Sequence, residues 1–159
     1  MSGLSRRYEL RLDLPAAHTG VSVARRVLRD FARMEGLASQ EIEYLMLVVS
    51  ELLANAIDHG GGERAMTDAD LTSQARMRLS VELEGTQERG TWTVRVSDQG
   101  GGDPEKIAAL IDPRAAPDLE DERGRGLFLL AKMVDRMAVE TSGDGLGLTI
   151  IATKHYGER

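Results

Sequence analysis

The stretch SELLANAIDHGGG, Ser50 to Gly62, decides how this chain is read. Leading into it, Ile42, Leu45, Met46, Val49, Leu52, Leu53 and Ala56 recur at helical spacing and make one apolar stripe. At about 100° per residue, Glu51, Asn55 and Asp58 gather on the opposite side. Three glycines then stop the helix. Taken alone, the polar side is the solvated face of an amphipathic helix. Any further meaning depends on the rest of the chain.

Working outward, YELRLDLP (Tyr8 to Pro15) alternates apolar and charged residues, the pattern of a half-buried strand stopped by proline. Val23, Val27, Leu28, Phe31 and Met34 predict a helix ended by Gly36, and Ser39 with Glu41 or Glu43 forms the expected N-cap region of the next. Residues 60–75 are polar and glycine-led, a loop or poorly ordered insertion. RMRLSVELEG and GTWTVRVSD both alternate with period two about a polar turn at Thr86 to Arg89, which predicts a hairpin. DPEKIAALI opens a short helix with Asp-Pro. Residues 112–123 combine prolines with dense acid and read as a mobile segment. An amphipathic helix is expected over Gly126 to Met137, then a hairpin in MAVETSGDGLGLTIIATKHY turning at GDG. The order β-α-α-β-β-α-α-β-β predicts an α+β fold, a two-layer α/β sandwich with a mostly antiparallel sheet.

A chain of 159 residues is most simply one domain, residues 1–159, long enough to bury a core. A net charge of -6 argues against direct nucleic-acid binding, which needs a basic surface to neutralise phosphates. The absence of cysteine excludes disulfides, a thiolate nucleophile and cysteine-ligated metal. No apolar run approaches membrane-spanning length and the N-terminus lacks an apolar leader, so no membrane attachment and a cytoplasmic location are expected. His18, His59 and His155 are spaced too widely in sequence to suggest a zinc set.

Three motifs carry possible chemistry. Glu51 and Asn55 stand one helical turn apart: a carboxylate can take a proton, and an amide oxygen is a hard neutral ligand suited to Mg²⁺. In VSDQGGG, Asp98 ends a strand and can accept a hydrogen bond from a base amino group. Gly100, Gly101 and Gly102 let backbone approach a ring closely. In ERGRGLFLLAKMVD, Gly124 and Gly126 precede an apolar helix whose N–H groups and dipole favour an anion. Arg123 and Arg125 sit where a terminal phosphate could be clamped. Each has a bland counterpart: a polar helix face, a strand-to-loop turn, a capped helix. The spacing fits neither a dinucleotide-binding fingerprint nor a P-loop. Gly143, Gly145 and Gly147 lie between two strand patterns and read as a turn, not a second phosphate loop.

The ordered set is more specific than its parts. E-L-L-A-N-A-I-D-H-G, then D-Q-G-G-G after a strand, then R-G-R-G-L before a helix, resembles the nucleotide-binding boxes of the GHKL ATPase superfamily, which includes gyrase and histidine kinases. The E-R-G-x-G-L-F-L-L form and small size are most similar to the bacterial anti-sigma-factor serine kinases, and the similarity runs from about Tyr8 to His155. The resemblance implies a histidine-kinase-like ATPase fold that binds ATP with Mg²⁺, the polar face with Glu51, Asn55 and Asp58 forming the pocket floor. It makes Glu51 the catalytic base, Asn55 the Mg²⁺ ligand and Asp98 the adenine contact, with Gly100 and Gly102 shaping the pocket. Arg123 would reach the terminal phosphate, beside Arg125, while Gly124 and Gly126 line the phosphate site. Thr149 matches a family position near adenine. Gln99 and the extra glycine at 101 depart from the pattern and would loosen the adenine loop.

The function implied is an anti-sigma factor that phosphorylates a serine on a STAS-domain anti-anti-sigma protein and sequesters a sigma factor, acting as a homodimer. Two other readings stay open. One is a switch kinase acting on a stress-signalling scaffold. The other is a non-catalytic nucleotide-binding interaction module, against which the presence of Glu51, Asn55 and Arg123 weighs. A free-standing histidine-kinase catalytic domain is disfavoured, since no dimerising helix pair with an acceptor histidine precedes the motifs.

Overall fold

A computed structural model describes residues 4–60, 75–112, 114 and 122–157. Strand β1, Arg6–Pro15, leads into helix α1, His18–Met34. Gly36 closes α1 with φ +79, a left-handed turn that favours glycine and lets the Leu37 N–H reach the Ala32 carbonyl at 3.0 Å. Helix α2, Ser39–Asn55, starts one residue earlier than a Ser39 cap would place it. Ala38 is the extended residue at its start, no side chain caps it, and Ser39 is already helical. Past Asn55 the coil widens into a single π turn, Ala56–Gly60.

Strands β2, Arg76–Gly85, and β3, Gly90–Ser97, form the expected hairpin, closed by the Thr86 N–H on the Arg89 carbonyl at 2.8 Å. Helix α3, Pro104–Ile111, is capped by the Asp103 carboxylate on the Glu105 N–H, with proline in its first turn. Helix α4 spans Glu122–Met133, so it starts and stops four residues before the predicted 126–137. The sheet competes for its end. Asp135 gives its N–H to Thr153 O at 3.0 Å and its carboxylate accepts the His155 N–H at 2.6 Å, which draws Arg136 and Met137 into strand β4, Arg136–Thr141. Strand β5, Leu148–Tyr156, completes a sheet of order β1-β2-β3-β5-β4. All four pairings are antiparallel, as the two-layer α+β reading required.

Period-two alternation decides the faces. Met77, Leu79 and Val81 of β2, Trp92, Val94 and Val96 of β3, and Leu148, Ile150 and Ala152 of β5 are buried in one cluster with Leu28, Leu45, Val49, Leu52 and Leu53 of the helices. Truncating a leucine such as Leu52, fully buried here, costs about 2–5 kcal/mol. Charge sets the register of α2 on the sheet. Glu41, in its first turn, accepts from Trp92 Nε1 at 2.8 Å and from Lys154 Nζ at 2.6 Å. Losing one partner of such a shielded pair strands the other charge. Anchored there over β3 and β5, α2 delivers its C-terminal turns to the end of the sheet where β3 stops.

Candidate functional site

The last turns of α2 separate the residues that the sequence grouped on one face. Glu51 and Asp58 are exposed, whereas Asn55 is buried. The Asn55 side-chain amide makes no hydrogen bond among the described residues, an unusual state for a buried polar group. Ser50, beside Glu51, is held by donating to Met46 O at 2.6 Å while accepting from Arg25 at 3.0 Å. The start of α4 lies across this end of α2. A Cβ built on Gly126 would stand 3.5 Å from Glu51 Oε2, so the glycine backbone faces the carboxylate directly. Arg123 and Gly124 belong to the first turn of α4, and Arg125 is exposed on it. Among the described residues no three His, Asp or Glu side chains converge as a metal cage.

The second cluster lies where β3 ends. Asp98 is buried on the helix side of the sheet, in line with Trp92, Val94 and Val96. Its Oδ1 accepts the Gly100 N–H at 2.9 Å and the Leu148 N–H at 3.3 Å, while its own N–H donates to Leu148 O at 3.0 Å. Among the described residues Oδ2 makes no hydrogen bond. The glycine loop folds back beside it: Gly101 takes φ +68, and a Cβ on Gly102 would press to 3.1 Å of Leu148 Cδ1. Gln99 does not loosen this loop. Its Oε1 accepts the Arg76 N–H at 2.9 Å and so ties the loop to the start of β2.

Two residues of β5 and the turn before it stand differently toward Asp98. Thr149 is paired with Ser97 across the sheet, their hydroxyls 2.7 Å apart, and so shares the face of Ser97. Asp98, the next residue along, points to the opposite face, so the structure does not bring the Thr149 hydroxyl to the carboxylate. The residue of β5 that meets Asp98 is Leu148, through its backbone. Gly147 lies in the β4–β5 turn as expected, and a Cβ there would in addition overlap the carbonyl and carboxylate oxygens of Asp98 and stand 2.7 Å from its carbonyl carbon. Its spacing from Asp98 in sequence carried no signal of that contact, which only the β3–β5 register creates. Residues 61–74 of the expected insertion, and 113 and 115–121 of the segment expected to be mobile, lie outside the described residues.

With this geometry in hand, residues 14–154 match the profile of the histidine kinase-like ATPase domain. The chain belongs to that family. Among its relatives, the serine-protein kinase RsbW of Listeria innocua is 30% identical over 156 residues, 95% of this chain and 89% of the relative. RsbW of Bacillus subtilis is 28% identical over 94% of this chain and 88% of its own length. RsbW of Bacillus licheniformis is 28% identical over 88% and 81%. A chain in the crystal structure of the SiaB-SiaC complex from Pseudomonas aeruginosa superposes with a TM-score of 0.59 over 92% of this chain and 89% of that one. At 16% identity this last likeness shows the shared ATPase-type fold alone.

Proposed function

We propose that this chain is an ATP-dependent protein serine kinase of the anti-sigma-factor type, which phosphorylates a STAS-domain anti-anti-sigma partner and sequesters a sigma factor. The observation that carries the reading is the buried Asn55 amide, without a hydrogen-bond partner among the described residues, one turn from Glu51, with Gly126 near the start of α4 facing that carboxylate. A buried amide without a partner costs stability unless something binds it. Its oxygen is a hard neutral donor that fits Mg²⁺, an ion that keeps most of its ligands as water and phosphate oxygens.

Bound as its Mg²⁺ complex, ATP supplies the transferable phosphoryl group. The residues of this chain orient it and handle the proton. The free Oδ2 of Asp98 accepts from the 6-amino group of adenine, and Gly100 and Gly102 keep the wall beside the ring thin. N–H groups at the start of α4, with Gly124, Arg125 and Gly126, receive phosphate oxygens, and Arg123 meets the terminal one. Glu51, exposed at the mouth, takes the proton from the acceptor serine hydroxyl as that oxygen attacks in line. The new phosphoserine adds roughly two negative charges to a partner facing Glu51 and a chain that carries the acidic run Asp118 to Glu122. Repulsion releases the partner and frees the kinase, as a homodimer, for the sigma factor.

The test mixes this protein with the STAS-domain proteins of its source genome and follows binding and phosphate incorporation before and after adding Mg·ATP. The expected result is transfer to one serine and loss of the complex. A complex that stays equally tight after stoichiometric phosphorylation overturns the partner-switching reading.

A further inference from the structure

The β4–β5 connection, residues 142–147, is built around one buried hydroxyl that the proposed chemistry does not use. Ser142 is 6% exposed. Its Oγ accepts the Gly147 N–H at 3.2 Å and lies 3.4 Å from Asp98 O as donor. Its own N–H donates to Gly147 O at 2.8 Å, and its carbonyl accepts the Gly145 N–H at 2.8 Å. Ser142 is therefore the hub that folds the turn onto itself and onto the β3 end, 44 residues earlier in the chain.

Two neighbours reinforce the hub. Asp144 accepts the Leu146 N–H at 2.9 Å, the bond that does most to hold its carboxyl below the usual range. Gln99 accepts the Arg76 N–H at 2.9 Å and so ties the glycine loop beside the turn to the start of β2. The space admits no slack, because Gly147 already sits against Asp98 so closely that a methyl group cannot be added.

We propose that Ser142 is a positioning residue for base recognition: by locking Gly147 and the Asp98 backbone together, it fixes the direction in which the free carboxylate oxygen of Asp98 points. A surface turn needs no buried hydroxyl to close, and Gly143 and Gly145 already make it tight. What the hydroxyl adds is the link to Asp98. Asp98 takes both Oδ1 bonds from flanking backbone, Gly100 and Leu148, so a shift of the turn moves the acceptor itself. The inference rests on the reading of Asp98 as the adenine contact.

The experiment measures calorimetric affinity for Mg·ATP and for the triphosphate of purine riboside, which lacks the 6-amino group, in the wild type, Ser142→Ala, Ser142→Cys and Asp98→Asn. Melting temperatures are recorded alongside. Ser142→Ala is expected to weaken ATP roughly tenfold, the worth of one buried hydrogen bond, while leaving the purine analogue within about twofold. Ser142→Cys keeps the volume with a poor hydrogen-bonding group and should follow alanine. Equal weakening of both nucleotides by Ser142→Ala makes the residue merely structural and overturns the proposal. So does unchanged discrimination in Ser142→Ala when Asp98→Asn abolishes it. If Asp98→Asn itself leaves discrimination intact, the adenine reading fails first and takes the proposal with it.

Discussion

The two ends of the site are built on opposite principles. Asp98 is tied on both sides: Gly100 and Leu148 donate to its carboxylate, and the Ser142 hydroxyl links its carbonyl to the Gly147 N–H. Around Glu51 and Asn55 almost nothing is. Glu51 is exposed, Asn55 is buried with no side-chain hydrogen bond among the described residues, and the Gly126 backbone lies against the Glu51 carboxylate with no side chain between them. The difference teaches where each end meets its ordering cost. The base end is ordered when the chain folds, so recognition is rigid. The phosphate end stays incomplete until a ligand supplies the missing bonds, which suits groups that must meet both a nucleotide and a protein substrate.

The largest effect belongs to the open end. Glu51→Gln keeps shape and hydrogen bonding but removes the proposed base. Phosphoryl transfer should fall roughly 10²–10⁴-fold, while Mg·ATP affinity changes little, because the Glu51 side chain makes no hydrogen bond among the described residues that shapes the site. Single-turnover transfer at the wild-type rate would remove Glu51 from the mechanism. Next comes the closed end. Gly147→Ala forces a methyl into the Asp98 carbonyl, an overpacking worth about 1–3 kcal/mol, so stability should drop by that amount and ATP affinity by roughly 5–150-fold. Wild-type melting and binding would show that the turn can give way.

Asn55→Ala tests whether the open end is incomplete by design. Removing a buried amide that makes no hydrogen bond among the described residues should leave the melting temperature unchanged or slightly raised, the opposite of a usual buried-polar truncation. Affinity for Mg·ATP should nevertheless fall about tenfold, with metal-free ATP scarcely affected. A clear loss of stability in the free protein would mean that the amide has an internal partner, and the contrast between the two ends would weaken.

Much of this was legible in sequence because it is periodic. The alternation in YELRLDLP and RMRLSVELEG gave β1 and β2, and the stripe through Ile42, Leu45, Val49 and Leu52 gave α2. What escaped was non-local. The end of α4 is set by Asp135 meeting Thr153 and His155, and the helical pattern, running on through Met137, cannot show that. The contact of Gly147 with Asp98 and the turning away of Thr149 both follow from which β5 residue lies opposite Ser97. Asn55 shares its helical direction with the exposed Glu51 and Asp58, and its burial is non-local for a related reason: helical phase gives direction, but burial depends on what packs there.

The smallest effect separates two glycines that look alike in sequence. Gly126 has ordinary helical backbone in α4, and a Cβ there would make only a normal 3.5 Å contact with Glu51 Oε2. Alanine is about 1 kcal/mol better than glycine inside a helix, so Gly126→Ala should raise Tm by about 2–4 °C where Gly147→Ala lowers it. The added methyl, however, fills the gap between Glu51 and the start of α4, where the proposed phosphate path runs. Stability and ATP affinity should therefore move in opposite directions in this one variant. A lowered Tm would mean that α4 does not hold helical geometry at this point. A raised Tm with undiminished ATP binding would place the phosphates elsewhere, and the open end would then be open for some purpose other than the nucleotide.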